Sequence, residues 1–223
     1  MLDVSQDIAA LAEGAERFAR AMFGADGARA LNVGDNAGRD DLALREAGAE
    51  GWLSLLAPES VGGAGQGFGA ACAVAEAFAR NLAPISYCSI ASALPVLARM
   101  EFDALDAALR GDVLVAPVIN AVGRINVYLD AQDAISGAVR GVFGGGAADY
   151  FLVQAHDANG VVLALVSRSA SGASVTTHQT VDGFGVADVR FESAPVAKLL
   201  RGPGAADVIA NLRASLAILS APS

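Results

Sequence analysis

The chain has 223 residues, 54% of them hydrophobic, and a formal net charge of −9. That acidity, with Lys198 the only lysine and the arginines scattered, argues against a nucleic-acid partner, whose phosphates need clustered cations. No run of about 18 apolar residues occurs, so no membrane span is expected, and His156 and His178, far apart and without a Cys/His cluster, give no metal site.

The start, Met1-Leu-Asp-Val-Ser-Gln-Asp, lacks the basic and apolar regions of a signal peptide, so a cytoplasmic protein is expected. Leu2–Phe23 has an amphipathic helical pattern, with Ile8, Leu11, Ala15, Phe18 and Met22 at three- and four-residue steps. Asp3 or Ser5 can cap its start, and Gly24 with Gly27 is expected to end it. Asn32–Arg39 reads as a polar loop, and Asp40 or Asp41 can cap a second helix running to about Glu50.

Gly51–Leu82 is the most distinctive stretch. A buried turn (Trp52, Leu53, Leu55, Leu56) meets Pro58. A loop containing Gly62, Gly63, Gly65 and Gly67 then leads into a helix to about Asn81, with Phe68, Cys72, Ala75, Phe78 and Leu82 on one face. The Gly loop follows no strand and no Gly-Lys-Ser/Thr closes it. It reads as a tight turn needing positive φ, in preference to a phosphate cradle. Glu59 is expected to cap local N–H groups, and Glu76 to pair with Arg80 one helical turn on. Pro84 starts a further helix, with Ile85, Ile90, Leu94 and Leu97 inward and Pro95 kinking or dividing it. Phe102–Arg110 forms a short helix. Cys72 and Cys88 read as reduced core residues.

From Asp112 to Phe191 the pattern changes to short runs rich in Val, Leu and Ile cut by Gly, Asp and Asn. They are Val113–Ile119, Arg124–Leu129, Ala138–Phe143, Tyr150–Ala155, Val161–Ser167, Ser174–His178 and Val186–Phe191. Such spacing predicts an antiparallel β-barrel or sandwich. Ala205–Ser220 is helical again, with Val208, Ile209, Leu212, Leu216 and Leu219 on one side. The fold class is therefore α+β: a helical domain over 1–111, a β domain over 112–196, and a linker with one helix over 197–223. A lone helix must dock its apolar face, so oligomerisation through 205–220 is expected.

These residues carry a resemblance. Pro58-Glu59-Ser60-Val61-Gly62-Gly63-Ala64-Gly65, the helix Ala71–Arg80, the segment Ser136-Gly137 through Tyr150–Val153, and Thr180–Gly183 through Ala187–Val196 are similar in order and spacing to motifs of the acyl-CoA dehydrogenase family. The resemblance implies a helical domain, a middle β domain and a C-terminal helical domain. It further implies FAD between the last two and an acyl-CoA thioester beside the flavin. The reaction would be α,β-dehydrogenation, a carboxylate taking the α-proton while hydride passes to the flavin.

The resemblance also locates candidate residues. Val115, Ala116 and Pro117 match the family's first β-domain flavin segment, and Gly141 and Phe143 the ends of its Trp-x-Thr segment. Both hydroxyl-bearing positions are thereby lost, removing roughly two hydrogen bonds of about 0.5–1.5 kcal/mol each. Arg140 and Arg190 are candidates for the phosphates of acyl-CoA, as is Arg168. Phe143 is expected in the core, or as a wall of a flavin or acyl pocket. No residue matches the catalytic carboxylate, which the resemblance puts beyond Ser223, so further helices or a partner chain would supply it. Three functions follow: a flavoprotein subunit that dehydrogenates acyl-CoA, a non-catalytic structural or acyl-CoA-binding subunit, or a flavin monooxygenase of the same fold.

Overall fold

The structure is a computed structural model that describes residues 4–30, 41–83, 86–119, 126–178 and 185–220. Helices α1 (Val4–Ala30), α2 (Asp41–Ala49), α3 (Gly67–Arg80), α4 (Tyr87–Arg99) and α5 (Leu105–Leu109) precede strands β1 (Val115–Val118), β2 (Val127–Leu129), β3 (Ala134–Val142) and β4 (Tyr150–Asp157). There follow β5 (Gly160–Ser167), β6 (Ala173–His178), β7 (Val186–Pro195), β8 (Lys198–Leu200) and helix α6 (Pro203–Ser220). The expected order of helices, sheet and final helix is the order observed. The Asn32–Arg39 loop, Pro84, Ile85 and Thr180–Gly183 lie outside the described residues.

The helical part is held by an aromatic chain. Phe18 of α1 packs edge-on to Trp52 with ring centroids 4.8 Å apart, Trp52 meets Phe78 at 5.9 Å, and Phe78 meets Tyr87 at 5.3 Å. Around it α3 buries small residues, Ala71, Val74, Ala75 and Ala77, so helices approach closely. Three details differ from the sequence reading. Helix α1 runs past Gly24 and Gly27, because a lone glycine costs about 1 kcal/mol in a helix without ending it. Leu82 lies beyond α3 at φ 50° and is exposed. Helix α4 runs on through Pro95 without being divided there, its neighbours burying it on nearly every side. The Gly loop is the expected turn: Gly62, Gly65 and Gly67 all have positive φ. The Gly62 N–H is taken by the backbone carbonyl of Glu59 at 3.0 Å, so it is the main chain of Glu59 that serves the turn. Glu76 and Arg80 pair as expected.

The strands form one eight-stranded sheet in the order β6-β7-β3-β2-β4-β5-β8, with β1 alongside β4. The sheet is mostly antiparallel and open, with parallel pairings of β1 and β2 to β4. It folds over itself, so that Phe151 of β4 meets Phe191 of β7 edge-on at 6.2 Å across an inner core. The other face of β4 and β5 (Leu152, Leu163, Leu165) joins the helical core. Both strands are thus buried on two sides, which explains their largely apolar runs, FLVQA and VLALV. Lys198–Leu200, read as linker, pairs with β5 as an added strand.

Helix α6 docks on its own chain. Val208, Ile209, Leu212 and Leu219 are buried in the core that also holds α3 and α4. Its outward side leaves Ala206, Ala210, Ala214, Ala217 and Ile218 exposed. Arg213 reaches back to donate to Gln154 Oε1 of β4 at 2.7 Å, satisfying a side chain only 6% exposed. Arg213→Ala should therefore cost about 1–3 kcal/mol, the usual cost of a buried acceptor left without its donor. Replacing both residues by Leu should recover much of that loss, as urea melts of the variants would show.

Candidate functional site

The candidate residues gather where the helices meet the sheet. Strand β1 is tethered at its start by Asp149, whose Oδ2 accepts the Leu114 N–H at 2.9 Å while the Leu114 carbonyl accepts the Asp149 and Tyr150 N–H groups. Parallel strands alternate their backbone direction. Leu114, Ala116 and Val118 therefore face β4, and Val115 and Pro117 face away. Among the described residues β4 is the only strand paired with β1. Pro117 sits where a missing N–H costs no ladder bond. The side chain of Val115 turns into the helical core at 4% exposure and that of Ala116 into the inter-strand core at 2%.

The β3–β4 turn lies against the start of α4. A Cβ on Gly144, at φ 71°, would stand 2.9 Å from Ser86 Oγ, so only glycine lets the turn close there. Arg168 fixes the turn from below: its Nη1 donates to the carbonyls of Gly145 and Gly146 at 3.0 Å and of Ala148 at 3.3 Å. Arg168 is thus a structural clamp. Between the turn, α4 and β1 lies a gap lined by Ser86, Ser89, Ile90, Val115, Ala116 and Gly144, with about 10 Å³ of space. That admits roughly one water. The buried Ser86 Oγ has no hydrogen-bond partner.

Gly141 forms a bulge at φ 68° on β3. Its N–H donates to Asp188 Oδ1 at 3.0 Å, and Asp188 Oδ2 lies 3.3 Å from His178 Nε2. The Gly141 bond, followed by His178 and the nearby Arg140, holds the Asp188 carboxyl below the usual carboxylate range. Phe143, expected in the core or as a wall of a flavin or acyl pocket, is 58% exposed, so it is not a core residue. The bulge at Gly141 and the turn that follows carry its ring outward, a consequence of backbone geometry that apolarity does not encode.

Arg140 and Arg190 are both exposed. Arg190 Nε is paired with Glu192 Oε1 at 2.8 Å on the rim of an open groove of about 520 Å³, whose floor is Ser136, Gly137 and Ala138 of β3. The structure therefore collects Val115, Ala116 and Gly144 at one seam, with the Gly141 bulge and Phe143 on the approach to that turn. Arg190 sits on the separate groove. The Asp188–Gly141–His178 latch, the Arg168 clamp and the Arg213–Gln154 bond are the polar contacts that reading the sequence missed. Each joins residues far apart in the chain, and no local signal marks them.

A flavin ring needs hydrogen-bond donors and a slot. Val115, Ala116, Pro117 and Phe143 carry no side-chain donor, Pro117 has no N–H, and the Gly141 N–H is already spent on Asp188. The seam itself has room for about one water. The side chains of these matched segments do not by themselves hold FAD. Among the described residues no cluster of three or more His, Cys, Asp or Glu could hold a metal, and no helix is long and apolar enough to cross a membrane.

Residues 5–101 match the family model "Acyl-CoA dehydrogenase, N-terminal domain". The Tcur3481–Tcur3483 steroid ACAD (G363A variant) superposes with a TM-score of 0.82 at 22% identity, over 97% of this chain and 63% of its own. The ChsE4–ChsE5 complex from Mycobacterium tuberculosis does so with 0.80 at 24% identity, over 96% and 60%. The chain has the acyl-CoA dehydrogenase fold. An acyl-CoA dehydrogenase complexed with FAD from Bacillus anthracis shares that fold with a TM-score of 0.78 at 18% identity, over 97% of this chain and 42% of its own. The chain thus spans less than two thirds of the length of each of these acyl-CoA dehydrogenase-fold structures. No curated protein matches the sequence.

Two outcomes are expected at this seam. Phe143→Ala should change stability by no more than about 0.5 kcal/mol, as for an exposed surface position, when followed by urea melts. Asp188 stabilises the fold above its unfolded pKa, and that contribution disappears as pH falls through its depressed folded pKa. Asp188→Asn should therefore lose less stability than the wild type as pH is lowered below about 4, measured by thermal melts across the acid range.

Proposed function

We propose that this chain is a subunit of an acyl-CoA dehydrogenase-like flavoprotein, in which a partner chain or further helices supply the catalytic carboxylate and most of the FAD contacts. The reaction of the assembly would be α,β-dehydrogenation of an acyl-CoA thioester. The observation that carries this reading is the seam: the two segments that resemble flavin-binding motifs are folded next to each other, yet offer no side-chain donors of their own. Two of the similar structures are described by a pair of protein names, which supports a mixed assembly. The outward side of α6, with Ala206, Ala210, Ala214, Ala217 and Ile218, is the surface proposed for the partner. Small residues at four-residue steps let a second helix come close, as in ridge-and-groove packing. The exposed Arg140 and Arg190 are proposed to meet the phosphates of acyl-CoA.

A second reading is favoured by the same absence of donors: a non-catalytic structural or acyl-CoA-binding subunit. Visible absorption separates the two. The purified chain mixed with FAD should remain colourless after desalting, and should gain bound flavin only once co-purified with the partner. Acyl-CoA binding with no flavin in the reconstituted assembly would favour the non-catalytic subunit. Yellow protein from the chain alone would refute the seam's poverty of donors. In gel filtration at micromolar concentration the chain should run larger than a monomer, alone or with the partner, and Ala210→Glu with Ala214→Glu should return it to monomer size.

A further inference from the structure

Among the described residues, three strands of the sheet have a neighbour on one side only: β1, β6 and β8. A free edge offers its N–H and C=O groups to any other strand, and folds commonly blunt it by shortness, a lysine, a proline or a bulge. Strand β8 is blunted by having three residues and Lys198, and β1 by having four and Pro117. Strand β6 has none of these devices. Its six residues, Ala-Ser-Val-Thr-Thr-His, include no Lys, Arg, Asp, Glu or Pro, and three of them are β-branched. Its ladder to β7 runs from Ala173↔Phe191 to His178↔Val186 with no register shift, whereas the β3–β7 ladder is interrupted by bulges. Ser174, Thr176 and His178 are exposed on one face, while Ala173 and Val175 pack partly against the inner core on the other.

We propose that β6 pairs with β6 of a second copy of this chain, antiparallel about a two-fold axis at Thr176. The pairing rests on the sheet alone and is independent of any cofactor. About that axis Thr176 faces Thr176, Ser174 faces His178, and Val175 faces Thr177 of the second copy. On the outer face hydroxyls then meet a hydroxyl or an imidazole, pairs that suit an antiparallel ladder. The Nε2 of His178 is held by Asp188 at 3.3 Å, which leaves Nδ1 for the Ser174 hydroxyl. On the inner face Val175 gains a methyl-bearing neighbour beside the core it already touches. The charges are spaced to allow this. Asp188 and Arg190 stand opposite Thr176 and Ser174 in β7. The two copies of Asp188 are therefore three strand spacings apart, roughly 14 Å, beyond a Debye length of about 8 Å. No like charges meet at the edge, although each chain carries −9 overall. Six residues bury less than the roughly 1,200–2,000 Å² of a stable interface, so the contact is weak by itself. It forms above the micromolar range in which α6 is proposed to act.

The test combines hydrogen exchange with cross-linking that reads the register, both on the full chain. Amide exchange over 173–178 should slow as the wild-type chain is concentrated well above the micromolar range. Thr176→Lys, which sets two cations on the axis at an exposed position, should abolish that slowing without shifting the thermal melt. Residues facing each other across a ladder have Cβ atoms about 4.5–5.5 Å apart. Thr176→Cys, oxidised with diamide, should therefore give a covalent dimer that peptide mapping assigns to position 176, above the background of wild type. Ser174→Cys stands about 13 Å from its own copy in this register and should not link to itself, but should link to His178→Cys when the two are mixed. A self-link from Ser174→Cys, or none at position 176, would overturn the register. Exchange over 173–178 that does not slow with concentration, or that slows equally in Thr176→Lys, would overturn the pairing. Slowing only when a different chain is added would overturn the second copy as the occupant. The exchange measurement uses wild-type protein, so the pairing is tested even if a variant fails to fold.

Discussion

The constraint on which the rest of the structure depends is the burial of the β4–β5 hairpin on both faces. One face of it packs with β3 and β7 around Phe151 and Phe191, the other with the helices through Leu152, Leu163 and Leu165. A hairpin inside two cores cannot shift without disturbing both, because a one-residue slip would reverse every side chain. Its position therefore fixes its neighbours. Strand β1 is aligned by its parallel pairing with β4, the β3–β4 turn by its exit into Tyr150, and α6 by the bond from Arg213 to Gln154. The only polar side chain in the middle of the hairpin, Gln154, is the one that registers the last helix.

That hierarchy explains what could be read in the sequence. The hairpin was legible because double burial writes a continuous apolar run, and the helical part because Trp52, Phe18 and Phe78 recur with Ala-rich periodicity. Seven strand-forming runs were visible for the same reason, whereas Lys198–Leu200 was too short to show a period and is a strand only because β5 has an edge to offer. The closure of the sheet was not legible at all. Whether strands curl into a barrel or stay open depends on pairings between β1, β2 and β4 that no local pattern encodes.

The site was legible only in part, and for a different reason. The segments Val115–Pro117 and Gly141–Phe143 were found through their resemblance to a family, and the fold brings both to the seam. What each side chain does there depends on single torsions. At Gly141 a bulge turns the chain, so Phe143 faces solvent while Val142 stays buried. Arg168, which could reach acyl-CoA phosphates or face water, donates to three backbone carbonyls. A long cation beside a Gly-rich turn can serve either purpose, and only the positions of Gly145, Gly146 and Ala148 decide between them.

In the proposed function the fold of the seam and its chemistry rest on different groups. A flavin site asks for hydroxyl or amide donors at a few positions, whereas the backbone of the seam is held by other groups: β1 by Leu114, Asp149 and its ladder to β4, and the turn by Gly144 and Arg168. Replacing a polar residue by an apolar one at a half-buried seam even removes a desolvation cost. In this structure the Gly141 N–H is taken by Asp188 and the carbonyls of the turn by Arg168, while the Ser86 Oγ beside them has no partner. The proposed function follows that division, since backbone contacts hold the seam's shape while the side chains of the matched segments offer a ligand little to grip.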